Sequence, residues 1–242
     1  MPRRKITPNY IAAHIRRVLI DGGSAPHSEG VQWFFKEEIR SRGWYTGELR
    51  KVAVRFRRTL LRESGMAFLI EVADRLFAGD VLEEKVFAVF LLENQTALFG
   101  DAEFARFETW LKRLSTWADH DALVHYLIDP MMLAKPPRTR NVFRWAKSSH
   151  RWHRRAAAVA LIGGARSGQF RPQIERLASL LISDKDDMVQ KGLGWLLREW
   201  AKRSPSEAVP FLMKLRGCAP RLVLRTACEK VQAAQRRQIL AR

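Results

Sequence analysis

Apolar residues in this chain recur at intervals of three and four almost from end to end, and nowhere do they alternate long enough to make a strand. The spacing predicts helices over about 8–20, 29–42, 46–63, 66–78, 81–98, 101–114, 119–128, 139–148, 151–163, 170–182, 186–203, 206–215 and 219–240. Residues that end helices fall between these stretches: Gly22-Gly23, Gly43, Gly65, Gly79, Gly100, Pro136-Pro137, Gly163-Gly164, Ser204-Pro205 and Pro220. Pairs of short helices joined by tight turns predict an all-α fold, and over this length an α-solenoid of HEAT-like repeats with a curved, concave surface. A compact bundle is the competing arrangement, but about thirteen short helices are more than a simple bundle orders around one axis. The expectation is one domain over residues 1–242, with Pro136-Pro137 as its best internal hinge.

The segment Gln190–Lys202, QKGLGWLLREWAK, departs from simple amphipathic order. At about 100° per residue, Val189, Leu193, Leu196 and Trp200 make the buried stripe, while Trp195 falls among Lys191, Arg198 and Lys202. An indole left in water forgoes burial worth about 1.5–3 kcal/mol. Its position implies a ligand, another helix or simple tolerance, and the three basic neighbours favour a polyanion. A second basic face lies in 46–63, TGELRKVAVRFRRTLLRE. Leu49, Val52, Phe56 and Leu60 share its apolar stripe, and Lys51, Arg55, Arg58 and Arg62 recur at i, i+4, i+7 and i+11 on another. Solvated faces normally intersperse acids, and this row has none, so it is fitted to track phosphates.

Composition sharpens that reading. With 242 residues and 47% hydrophobic content, the chain can bury a large core, which excludes disorder. Lys and Arg total 43 against 25 acids, a net charge of +18, which points to nucleic acid as the partner. The excess is uneven, with net charges of +8 over 1–65, −7 over 66–134 and +17 over 135–242. Two basic flanks around an acidic centre suit a molecule that grips a phosphate backbone on both sides of a carboxylate-bearing site.

Other chemistries find little support. Cys218 and Cys228 are the only cysteines, too few for a disulfide framework or a CxxC zinc site. His150 and His153 lack a carboxylate or thiol to complete a metal set and are expected at the surface or on phosphate, so no metal is expected. GGARSG at 163–168 lacks the Lys-Ser/Thr ending of a P-loop and reads as a helix-ending turn with an Arg that could touch DNA, so no nucleotide cofactor is expected. Arg3, Arg4 and Lys5 look like the basic start of a signal peptide, yet Asn9, His14, Arg16 and Arg17 interrupt the apolar run that should follow. No stretch approaches a membrane span, and no membrane partner is expected.

In LSTWADHDALVHYLID, Trp117 and Asp121 lie four residues apart and share one side of a helix start. Asp119 as N-cap and Asp121 as a first-turn acid would explain both without any function. HRWHRRAAAVALIGG adds Trp152, with Arg151 and Arg155 four apart on a helix of small residues. That pattern fits either a tightly packed helix with a snorkelling Arg rim or an Arg held rigidly for a phosphate.

The Trp-Asp pair, the WxxRRAA run and the QKGLGWLLREWAK segment together resemble the AlkD-type DNA alkylation repair glycosylases, which are built of HEAT-like repeats. The similarity is strongest over about residues 105–232 and extends more weakly from about residue 30. The resemblance implies that Trp117 and Trp195 embrace the deoxyribose of the damaged nucleotide, that Asp121 is the catalytic carboxylate and that Arg155 holds the nearby backbone. Phe34 and Tyr45 fall near family positions that face the DNA. One departure matters: the family commonly shows WDxxD, whereas this chain reads WADHD, with Ala118 at the first acidic position and Asp119 added. The four-residue interval favours Asp121, and Asp119 is its rival.

An alkylated purine charged at N3 or N7 leaves as a neutral base without general-acid help. The enzyme must then supply negative potential and a directed water to an oxocarbenium-like sugar. One carboxylate between two indoles suffices, and with no lysine nucleophile required the expected activity is monofunctional hydrolysis. The expected partner is double-stranded DNA carrying alkylated purines, for a monomer without cofactor, cytoplasmic and nucleoid-associated when bound. Two other readings stay open. One is a non-catalytic HEAT-like DNA-binding scaffold; the other is a helical-repeat adaptor for an acidic protein, anchored by Trp195.

Overall fold

The computed structural model describes residues 6–241. Arg3, Arg4 and Lys5, considered above as a possible signal-peptide start, lie outside them. In chain order the helices are α1 (Pro8–Asp21), α2 (Ala25–Gln32), α3 (Thr46–Phe77), α4 (Leu82–Leu92), α5 (Asp101–Trp110), α6 (Trp117–Leu123) and α7 (Asp129–Ala134). They continue as α8 (Arg140–Trp145), α9 (Arg151–Val159), α10 (Ile162–Ser167), α11 (Arg171–Leu181), α12 (Asp187–Arg203), α13 (Pro205–Leu215), α14 (Arg221–Ala227) and α15 (Ala233–Leu240). The fold is all-α, and the only extended pairing among the described residues is an isolated parallel bridge between Arg40 and Val81. No helix of the described residues is long and apolar enough to cross a membrane.

The chain forms two compact units, one from the residues up to Phe99 with Arg113–Leu127, the other from Gly100–Lys112 with the residues from Ile128 onward. The passages between units therefore fall at 99/100, 112/113 and 127/128, and the hinge expected at Pro136-Pro137 is instead a short turn inside the second unit.

In the first unit, Ile15 and Leu19 of α1, Leu49 and Leu60 of α3 and Phe87 of α4 are buried together with Leu69, Leu76 and Phe77. The break expected at Gly65 is present: α3 turns there through φ +79°, a conformation that glycine adopts without penalty. The helix expected over 29–42 stops at Gln32, despite a sequence able to continue it. Tertiary bonds prevail over propensity here. Gln32 Nε2 donates to the Glu37 carbonyl at 2.9 Å, and its Oε1 accepts from Ile39 N–H at 3.0 Å, closing a loop. Buried Glu83 of α4 then accepts from the N–H groups of Arg42 (2.8 Å) and Gly43 (2.9 Å) and from Ser41 Oγ (2.6 Å).

In the second unit α12 packs against α9, α10 and α14, with Val189, Leu193, Leu196 and Trp200 buried as the periodicity requires. The two glycines of QKGLGW have a packing reason. A Cβ on Gly194 would stand 2.6 Å from Thr226 Cβ on α14, and one on Gly192 would stand 3.1 Å from Arg155 Cγ on α9. Two of the expected elements differ in this unit. The helix expected over 219–240 is broken between α14 and α15, and GGARSG is mostly helix α10 rather than a turn, with Arg166 paired to Glu199 at 3.1 Å.

Asp129, at the start of α7, is buried and accepts from Gly163 N–H at 2.8 Å. Burial raises its pKa to about 7, against the opposing effects of that hydrogen bond and of Arg166. Between the ordinary value of 3.8 and about 7 the folded chain holds a proton that the unfolded chain has lost. Stability therefore falls as pH rises through that window, by about 1.4 kcal/mol per pH unit for one proton. Asp129→Asn is expected to remove this slope, and urea midpoints measured from pH 4 to 8 check it. An unchanged slope in the variant would place the titration elsewhere.

Candidate active site

Helix α6 holds its first turn still through a reciprocal cap. Thr116, not Asp119, is the N-cap. Its Oγ1 accepts from Asp119 N–H at 3.2 Å, while Asp119 Oδ1 accepts from the Thr116 amide and hydroxyl, each at 2.9 Å. The other carboxylate oxygen accepts from Ser115 N–H (3.1 Å), Ser115 Oγ (3.0 Å) and Lys85 Nζ (3.2 Å). Lys85, reaching in from α4, is also buried and donates to the Arg113 carbonyl at 2.6 Å. Asp119 is thus fully buried under five donors. Asp121, one helical turn after Trp117, keeps 21% of its side chain exposed, and its Oδ1 lies 2.7 Å from Nδ1 of the fully buried His120.

Trp117 is half-buried and held on two sides. Phe35 stacks on its ring at 5.1 Å and 15°, and its Nε1 donates to the Phe34 carbonyl at 3.4 Å. Phe34 and Tyr45 are both exposed, and Tyr45 stacks on His27 at 3.9 Å. Sequence reasoning missed two aromatics. Phe35 is the support beneath Trp117, and Trp33, at the C-cap of α2 where the same loop begins, is 91% exposed. Expecting a helix through 29–42 hid them, because a helix would have scattered the three aromatics over different faces.

The cations of α3 divide by face. Lys51, Arg55, Arg58 and Arg62 are all exposed, as their spacing predicts. The flanking ion pairs Lys51–Glu48 (2.7 Å) and Arg62–Glu63 (3.1 Å) are exposed too and contribute little to stability. Arg50 and Arg57 turn inward. Arg50 pairs with buried Glu93 at 2.9 Å and lies over Phe90 and Tyr126, and Arg57 donates to the Phe90 and Glu93 carbonyls at 3.0 and 2.8 Å. Burial pushes the Glu93 pKa up even against the two arginines.

In the second unit the expected DNA-facing residues are largely engaged within the fold. Arg155 and Trp152 are buried, and Arg155 Nη1 donates to the Met188 carbonyl at 2.6 Å and ties α9 to α12. Arg151 is half-buried and pairs with Asp186 at 2.9 Å. Around half-buried Trp195 the three cations are accompanied by acids, Lys191 by Asp187 (3.4 Å), Arg198 by Glu229 (2.5 Å) and Lys202 by Glu199 (2.9 Å). That face is therefore less positive than its basic residues alone imply. Burial pushes the Glu199 pKa up, and hydrogen bonds from Lys202 and Arg166 more than reverse this. His153, expected on the surface or on phosphate, is half-buried with a pKa lowered to about 4, chiefly by burial, so at neutral pH it carries no charge for a phosphate.

A helical chain with an exposed row of cations and a half-open carboxylate one turn from an indole has the makings of a protein that acts on nucleic acid. The chain belongs to the DNA alkylation repair enzyme family, whose model matches residues 15–231. Its fold is similar to that of a solved structure described as a predicted DNA alkylation repair enzyme from Enterococcus faecalis, with a TM-score of 0.78 and 14% sequence identity. The match covers 87% of this chain and 97% of that one. No curated protein matches the sequence significantly. Family membership makes this a DNA repair protein with DNA as its partner.

Proposed function

We propose that the protein is a monofunctional DNA glycosylase of base excision repair, hydrolysing the N-glycosidic bond of cationic N3- and N7-alkylated purines in duplex DNA. One observation carries the reading: of the two carboxylates in WADHD, Asp119 is fully buried under five donors while Asp121, one turn from Trp117, keeps 21% of its side chain exposed. The C1′–N bond breaks with its electron pair going to the charged base, which leaves neutral. Asp121 stabilises the resulting oxocarbenium-like sugar and takes the proton of the water whose oxygen bonds to C1′. His120 orients the carboxylate through its 2.7 Å contact, and the Trp117 ring offers a π face to the cationic sugar. The resemblance assigns the second indole to Trp195, carried by the second unit on α12, and that assignment rests on the resemblance.

The remaining proposals concern the grip. HEAT-like stacking and a concave basic surface would hold the backbone, with Lys51, Arg55, Arg58 and Arg62 on phosphates and no base-specific pocket. Lys191, Arg198, Lys202 and Arg151 would join them by exchanging their carboxylate partners for phosphates. The chain would act as a monomer in the cytoplasm, on the nucleoid when bound.

The test is single-turnover release of 7-methylguanine from a defined duplex. Trp117→Ala and Trp195→Ala are each expected to slow release about 3- to 30-fold, the loss of one cation–π contact, with binding to undamaged duplex within about twofold. Release that ignores either substitution removes that indole from the site. Salt-sensitive duplex binding without release of 7-methylguanine, 3-methyladenine or bulkier adducts would favour the non-catalytic scaffold.

A further inference from the structure

The loop after α2 presents its apolar side chains outward while its backbone is pinned from within. Trp33 is 91% exposed and Phe34 75%. Beneath them, Phe34 N–H and Phe35 N–H donate to the Val31 and Gln32 carbonyls, each at 3.0 Å. The Gln32 amide spans the loop to Glu37 and Ile39, and Glu83 fixes its far end at 41–43. A tip that is apolar, aromatic and held in place has already met the ordering cost that binding would otherwise impose.

Its surroundings name the occupant. The Phe34 carbonyl accepts from Trp117 Nε1 and Phe35 stacks on the Trp117 ring, so the tip is built onto the residue beside Asp121. The next helix, α3, carries the exposed row Lys51, Arg55, Arg58 and Arg62. An exposed aromatic tip built onto Trp117, in a chain that also exposes a row of cations on α3, complements a ligand whose flat apolar faces lie between rows of phosphates, which is a base step of DNA. A second copy of this chain, which also carries a net charge of +18, is disfavoured there by overall repulsion.

We propose that Trp33, with Phe34 beside it, is a stacking wedge that inserts at the base step disrupted by the damaged nucleotide. This rests on the reading of the Trp117–Asp121 site as the one that faces the lesion. Alkylated and abasic positions stack and pair less well than intact ones, so a wedge favours them at low cost and confers selectivity without a pocket for the damaged base.

The experiment uses the full chain and an uncleavable duplex carrying a tetrahydrofuran abasic-site analogue with 2-aminopurine opposite it. The wild-type protein is expected to change the 2-aminopurine fluorescence on binding. Trp33→Ala is expected to lose that change and about tenfold in affinity for this duplex, and Trp33→Phe to recover part of both. Because Trp33 is almost wholly exposed, thermal denaturation should show these variants as stable as the parent. Trp33→Ala that matches the wild type in fluorescence and affinity overturns the proposal. So does a Trp33-dependent dimer in sedimentation velocity without a fluorescence change, since the tip would then be a self-association surface. The two readings fail separately: loss of the Trp33 signal leaves 7-methylguanine release as its own test, and absence of release leaves a Trp33-dependent signal on the uncleavable duplex intact.

Discussion

Asp121→Asn is expected to lower single-turnover release of 7-methylguanine by about 10²–10³-fold, the scale on which removal of one preorganised electrostatic group is felt. The substitution keeps the shape of the side chain and an oxygen for the His120 contact, and removes only the charge that opposes the developing sugar cation. Asp121 is not part of the exposed row on α3, so binding to undamaged duplex should stay within about twofold and keep its steep salt dependence. Release undiminished in the variant would remove the carboxylate from the chemistry and with it the glycosylase reading of this site.

The neighbouring acid should respond in the opposite way. Asp119→Ala leaves the Lys85 ammonium, 3% exposed, without its counter-charge and uncaps the helix that carries Trp117 and Asp121. Breaking a buried pair from one side costs about 3–5 kcal/mol, a fall in melting temperature on the order of 10 °C for a chain of this size. Adding Lys85→Met should restore part of the loss, because the stranded charge goes with it. A double variant no more stable than the single would refute the buried-charge account. At temperatures where Asp119→Ala is still folded, release should persist. Full stability combined with lost release would instead make Asp119 the catalytic carboxylate and exchange the roles of the two residues.

The pattern of this chain is legible wherever local periodicity decides. Val189, Leu193, Leu196 and Trp200 are buried at the spacing that predicts it, Lys51, Arg55, Arg58 and Arg62 are exposed, and the helix breaks at Gly65. Each of these follows from 100° per residue and from the conformations glycine tolerates. Some of the expectations that fail involve partners distant in sequence. The helix expected over 29–42 ends at Gln32, whose amide closes the loop onto Glu37 and Ile39, and Glu83, some forty residues on, takes the N–H groups at the far end of that loop. Arg155, which spacing alone leaves as either a packed side chain or a phosphate ligand, is buried and donates to the Met188 carbonyl of α12, thirty-three residues on.

By itself the sequence determined the all-α fold, the two exposed and buried faces of α3 and α12, and the four-residue interval that puts Trp117 and Asp121 on one side of α6, because helical geometry settles such matters within a few turns. Only the tertiary structure decided which carboxylate is fully buried and which reaches solvent. Asp119 and Asp121 are two residues apart and chemically alike, but Lys85, thirty-four positions upstream of Asp119, reaches that one, and the burial of the pair leaves Asp121 as the acid of the two that meets solvent. The same holds for cations: spacing shows which share a face, and only packing shows that Arg57 supports carbonyls inside the core while Arg58, its neighbour, stays exposed.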